Sequence, residues 1–117
     1  MKTYLQTGNK SLLILNHRTS KKVLISDVVL LKGHVNYTTF HLENGQTKLV
    51  AHSIKFFEPF LETHGFLRVH RSYMVNPNHV SEYNKTEDNI TMKNGQKAFI
   101  SRRKKRSIKN LLFSSKV

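Results

Sequence analysis

The sequence predicts a mainly β, largely antiparallel fold with two short helices, and three observations carry that expectation. Short apolar stretches rich in β-branched and aromatic residues recur along the chain, broken by turn residues at intervals typical of strands. Two Asn-Gly pairs, Asn44-Gly45 and Asn94-Gly95, stand between such stretches, and both residue types tolerate the positive φ of a tight hairpin turn. Helical spacing of apolar residues occurs in only two segments.

In chain order, residues 12–15 and 28–31 are unbroken apolar runs that read as strands. Residues 37–42 and 47–50 flank Asn44-Gly45 and read as its hairpin. Ser53 is a candidate N-cap for a helix over 53–61, in which Ile54, Phe57 and Leu61 share a face and Pro59 falls in the last turns. Residues 66–71 and 79–83 read as further strands, and 89–92 and 98–100 flank Asn94-Gly95 as a second hairpin. Ser101 is a candidate cap for a helix over 102–113, whose Ile108, Leu111 and Leu112 form a narrow apolar stripe on an otherwise basic surface. Residues 2–9 and 114–117 read as loose ends. No linker or repeat divides the chain, so residues 1–117 are expected to form one domain around a single core.

Charge narrows the function. Twenty Lys and Arg against seven Asp and Glu give a net charge of +13, and so unbalanced a chain points to a polyanionic partner, because neutralising phosphates releases counterions. Hydrophobic content of 38% with seven Phe excludes a wholly disordered basic tail. The absence of cysteine excludes disulfides, thiolate zinc sites, iron–sulfur ligation and cysteine nucleophiles. The seven His are scattered without metal-ligand spacing, so neither a metal nor another cofactor is expected. No apolar run approaches the ~18 residues of a membrane span, and residues 1–8 lack the apolar core of a signal peptide. A cytoplasmic protein without a membrane partner is expected.

The most specific segment is residues 66–80, FLRVHRSYMVNPNHV. Phe66, Arg68, His70, Arg71, Ser72, Val75 and Asn76 stand there in an order and spacing that resemble the LytTR DNA-binding domain, a bacterial transcription-factor module. Upstream, residues 26–31 (SDVVLL), Asn36-Tyr37 and the Asn44-Gly45 turn are similar to that family's opening strands and hairpin, and Ser53, Ile54 and Leu61 follow where it carries a short helix. Downstream, Asn94-Gly95 and Ile100-Ser101-Arg102-Arg103 resemble its last hairpin and basic segment, so the likeness spans about residues 23–112. It implies an elongated sandwich of three small antiparallel sheets, with one short helix and a C-terminal basic helix. It also implies that double-stranded DNA is read by loops at one edge of the sandwich, entering successive major grooves, in place of a recognition helix. The function implied is a sequence-specific transcriptional regulator that binds direct repeats, two copies per site. Most members carry a response-regulator receiver domain ahead of this module. Here only about 22 residues precede the likeness, so control is expected from a separate signalling protein, from abundance or from a ligand.

Three places match the family's reading loops. The first is residues 33–37, where His34, Asn36 and Tyr37 are candidates to hydrogen-bond a base edge or a phosphate, the alternative being a polar loop with Tyr37 packed on the sheet. In the second, strand alternation would send His70 and Arg71 to opposite faces, which assigns Arg71 to DNA and His70 mainly to structure. The third is the basic run 101–106, SRRKKR. Arg103 matches the position that reaches bases, where a guanidinium can bond guanine O6 and N7, while Ser101, Lys104 and Arg106 would hold phosphates and Arg102 completes the DNA-binding set.

Two other classes compete. An RNA-binding or nonspecific architectural protein would share the charge, and Phe66, Tyr73 and Tyr83 would be its stacking aromatics, although the basic aromatic strand motif of RNA-binding sheets is missing. A nuclease would need converging carboxylates. Asp27, Glu43, Glu58, Glu62 and Glu82 are isolated, Glu87-Asp88 fall in a turn-like stretch where such a pair is expected to be solvated, and nothing places a second catalytic group beside His70 or His79. No enzymatic activity is expected.

Overall fold

The run Val28-Val29-Leu30-Leu31 organises the molecule, because all four side chains are buried and they point into two different places. In the computed structural model, which describes residues 12–16 and 21–113, this run opens the third of ten strands. The strands are β1 (Leu12–Asn16), β2 (Lys21–Leu24), β3 (Val28–Gly33), β4 (Thr38–Leu42), β5 (Thr47–Val50), β6 (Leu67–His70), β7 (Tyr73–Val75), β8 (Val80–Asn84), β9 (Asn89–Met92) and β10 (Lys97–Phe99). Helix α1 (Ile54–Glu62) lies between β5 and β6, and α2 (Lys105–Phe113) follows β10. The loose ends expected at residues 2–9 and 114–117 lie outside the described residues.

All pairings are antiparallel and form three sheets: β1-β2, a central β5-β4-β3-β7-β6, and β10-β9-β8. Their stacking gives an elongated sandwich of 43 × 34 × 25 Å. The Asn44-Gly45 and Asn94-Gly95 turns join β4 to β5 and β9 to β10 as the sequence predicts. Both glycines hold φ of 90°, and each preceding Asn accepts the N–H of the following Gln through its side chain.

The single core expected from chain length is two clusters, one on each face of the central sheet. Val28, Leu31, Phe40, Leu42 and Met74 face β1, β2 and α1, joining Leu13, Val23, Ile54, Phe57 and Leu61. Val29, Leu30, Val69 and Val75 face the β8–β10 sheet and α2, joining Ile90, Met92, Ala98 and Ile108. A β-bulge makes this division. The β3–β4 register runs from Val28 opposite Leu42 to Leu30 opposite His41, so Val29 is the extra residue and shares a face with Leu30 instead of alternating with it. Asn76, 3% exposed, fixes the distortion: its main-chain N–H donates to Val29 O and its side-chain amide donates to Val28 O, each at 3.0 Å.

Several boundaries differ from the sequence expectation. Strand 66–71 stops at His70, and Arg71-Ser72 turn directly into β7, which was not expected. β2 was also not expected. The strand expected over 79–83 begins at Val80, because Pro77–His79 form a 3-10 turn held by Asn78 N–H on the Asn76 side chain. The helix expected over 102–113 is α-helical only from Lys105, after a 3-10 turn Arg102–Lys104. Its stripe is narrower too: Ile108 is buried and Leu112 packs beside it, but Leu111 is 63% exposed. Neither Ser53 nor Ser101 makes a side-chain cap bond, although each stands at its N-cap position. In α1, Ile54, Phe57 and Leu61 are the buried face as predicted, and Pro59 is accommodated inside the helix.

Candidate nucleic-acid interface

The site is built on the turn between β6 and β7. Arg71 projects from it, exposed, and His70 is half buried beside it. Strand alternation does not send these two residues to opposite faces as expected, because the strand ends at His70, and the two differ in exposure, not in the cleft they line. Three groups fix the turn. His70 Nδ1 accepts the Ser72 N–H at 3.0 Å, Arg68 donates to the carbonyls of His70 and Arg71 at 2.9 and 2.6 Å, and Gly33 N–H donates to Ser72 O at 2.8 Å.

The bond from Gly33 brings the first predicted loop beside the turn. A Cβ at Gly33 would stand 2.7 Å from Ile54 Cδ1 at the buried start of α1, so any larger residue here would force the Ile54 side chain to shift. Beyond it the loop closes with His34 N–H donating to Tyr37 O at 2.8 Å, and the two rings lie 5.1 Å apart. His34, Asn36 and Tyr37 are all exposed, so Tyr37 does not pack into the sheet.

The third segment is tied to the same place from the other side. Ser101 N–H donates to Val69 O and Lys104 Nζ donates to Arg68 O, both at 2.8 Å. Burial of Ile108 docks α2, and Lys105 Nζ meets Asp88 Oδ1 at 2.8 Å in an ion pair open to solvent on both sides. Arg102, Arg103 and Arg106 remain exposed. Between these elements lies an open cleft of about 430 Å³ lined by Glu58, Arg68, His70, Arg71, Ser101, Arg103 and Lys104. Four of the lining side chains are cationic and one, Glu58, is acidic. Lys104 spends one of its three donors inward on Arg68 O, which leaves two for an anion in the cleft.

The structure thus brings Arg71, Ser101, Arg103 and Lys104 into one cleft, sets His34, Asn36 and Tyr37 next to it, and leaves Arg102 and Arg106 outside its lining. Sequence reasoning missed Glu58 and the inward role of Arg68. Arg68 stands within the matched motif, which was a signal, but its bonds reach an acid on a separate element. The residues proposed for stacking are otherwise engaged: Phe66 is buried, and Tyr73 and Tyr83 pack against the second cluster. His79 places Nε2 2.8 Å from Ser26 O. Among the described residues no three His, Asp or Glu side chains converge for a metal, and no helix is long and apolar enough to cross a membrane.

Two histidines are held below the ordinary histidine range. His70 is lowered by burial first and then by Arg71 and Arg68, and His41 by burial, then Lys32 and His34. Both use Nδ1 as an acceptor, His41 from the Gln96 amide at 2.7 Å, which requires an unprotonated ring nitrogen. Because the folded chain favours the neutral rings, their contribution to stability is present above about pH 6.5 and is lost as pH falls through the lowered folded values. The unfolding temperature is expected to fall between about pH 7 and pH 5, and the double variant His41→Gln/His70→Gln to show a flatter fall. Equal slopes in the two proteins would refute this assignment.

The LytTr DNA-binding domain family matches the chain over residues 18–113. The sensory transduction protein LytT of Bacillus subtilis (strain 168) is 36% identical over 84 residues, which cover 68% of this chain and 33% of that protein, so the chain spans about a third of its curated relative's length. Among solved structures, the LytTr DNA-binding domain of a methyl-accepting/DNA response regulator from Bacillus cereus superposes with a TM-score of 0.70 at 28% identity, covering 89% of this chain and 98% of that one.

Proposed function

This chain belongs to the LytTr DNA-binding domain family, and on that premise we propose that it is a sequence-specific regulator of transcription that reads duplex DNA with the edge formed by residues 33–37, the Arg71 turn and residues 101–106. The observation that carries the reading is the convergence of these three segments. Main-chain bonds from Gly33 to Ser72 and from Ser101 to Val69 hold them side by side, although they are far apart in the sequence.

Arg103 is assigned to bases, with Arg71 beside it, because both are exposed at the cleft and an arginine fork matches the major-groove edge of guanine. Ser101, Arg102, Lys104 and Arg106 are assigned to phosphates, and His34, Asn36 and Tyr37 to a neighbouring base or phosphate. The domain acts on direct repeats, two copies per site, in the cytoplasm, without a cofactor and without catalysis. The loops insert into neighbouring major grooves, and bending of the DNA would let both be reached at once.

Selection of bound duplexes from a randomised library at about 0.15 M salt, with single-stranded RNA as competitor, tests the reading. Enrichment of a repeated motif is expected. Retained binding without enrichment, or loss of binding to RNA competitor, would replace it with an architectural or RNA-directed function. In a salt titration on the enriched duplex, neutralisation of about six phosphates gives a slope of log K against log salt of about −5. A slope near zero would remove the electrostatic basis of the assignment.

A further inference from the structure

We propose that Arg68 and Glu58 are positioning residues for DNA reading: an ion pair that sets the pose of the Arg71 turn without itself contacting DNA. The inference rests on the reading that this edge binds duplex DNA.

Arg68 lines the cationic cleft, so charge alone would make it one more phosphate ligand. Its bonds say otherwise. Nε donates to His70 O, Nη2 to Arg71 O, and Nη1 to Glu58 Oε1 at 2.5 Å, so all three guanidinium nitrogens are engaged within the protein. Its side chain is only 17% exposed, and its charge is matched by Glu58. Three of its five N–H donors are thus spent within the protein, and the two that remain belong to a largely covered side chain held against the turn and Glu58.

The arrangement has a physical purpose at an anion-binding edge. The carbonyls of His70 and Arg71 belong to adjacent residues of a tight turn, and uncovered they would present the negative ends of two peptide dipoles beside incoming phosphates. Arg68 covers both. A bulge between Arg68 and His70 in the β6–β7 register breaks the regular alternation here and aims the guanidinium back under the turn. Glu58 then ties that guanidinium to α1, which is seated on the first cluster by Ile54, Phe57 and Leu61. The turn carrying Arg71 is thereby referenced to the core through a side chain with a fixed planar fork. Lysine carries its three donors on one nitrogen and lacks the planar fork that sets a separate nitrogen on each of these acceptors.

The test compares Arg68→Lys, Arg68→Ala and Glu58→Gln with the wild-type chain, measuring affinity for the selected duplex and for random duplex across a salt series, well below each protein's melting temperature. For Arg68→Lys, affinity for the selected duplex is expected to fall about tenfold, while affinity for random duplex and the salt slope stay at the wild-type values. A merely structural role would lower the melting temperature without changing the ratio of the two affinities. Glu58→Gln leaves Arg68 in place and is expected to lower that ratio in the same direction, so the test survives if the Arg68 variants fail to fold. If Arg68→Lys and Glu58→Gln keep the wild-type ratio, the pair is merely structural, and if Arg68→Ala makes the salt slope shallower by about one, Arg68 is an ordinary phosphate contact; either result overturns the proposal. A wild-type chain that binds duplex DNA without preference would instead overturn the underlying reading, which separates the two failures.

Discussion

Replacing Arg103 by Ala is expected to weaken binding to the preferred duplex by about 1–3 kcal/mol, roughly 5- to 150-fold, and to relax preference at one base pair. The side chain is exposed at the mouth of the cleft, on a 3-10 turn whose Ser101 N–H and Lys104 ammonium are bonded back to β6. The main chain beneath Arg103 is therefore held, and truncating the side chain removes a contact without loosening the segment. Arg106→Ala is the matched control, since Arg106 is exposed outside the cleft lining. It should weaken selected and random duplexes alike and make the salt slope shallower by about one. Binding measured against a panel of single-base variants of the selected duplex separates the two outcomes. If Arg103→Ala lost affinity equally for every sequence, base reading would have to pass to Arg71 or to the loop at His34.

Replacing Phe40 by Ala is expected to cost about 3–5 kcal/mol of folding stability, a large part of the roughly 5–15 kcal/mol available to a domain. Phe40 has no exposed surface, lies in the middle of the face that meets α1, and contacts Phe57 edge-on with ring centroids 5.0 Å apart. The consequence should reach the opposite face as well, because β3 supplies Val28 and Leu31 to one cluster and Val29 and Leu30 to the other. Urea unfolding of the variant is therefore expected to remain a single transition with a lower midpoint and an unchanged slope. Far-ultraviolet circular dichroism follows the sheets, and tyrosine emission includes Tyr73 and Tyr83, two of the four tyrosines, against the second cluster. Two separated midpoints would show that the clusters melt independently and that the central sheet does not couple them.

How much of this was legible in the sequence depends on whether the determinant was local. The Asn-Gly hairpins were, because the turn conformation is a property of those two residues. The buried face of α1 was also legible from the spacing of Ile54, Phe57 and Leu61. The β6–β7 turn was not, since Arg71-Ser72 offers only the weak turn preference of a lone serine. Its conformation is imposed by Arg68, by the His70 ring and by a main-chain donor at Gly33. The bulge at Val29 was equally hidden: four consecutive apolar residues announce a buried strand but not which face each one enters. For the candidate site, the matched segments named the cationic residues that line the cleft. Its single acid escaped notice because Glu58 and Arg68 meet only when α1 docks.

The bonds that keep the three segments in register along the edge, Gly33 to Ser72 and Ser101 to Val69, run between main-chain atoms and are indifferent to the side chains carried at positions 34–37, 71, 102 and 103. Spacing and chemistry are thus separable in this fold. Substitutions at those positions can exchange one set of hydrogen-bonding groups for another while the distances between them stay constant. On the proposed reading, operator preference would drift by single replacements at these positions with the spacing of the edge retained, which would make it a practical scaffold for redirecting the domain to a chosen sequence.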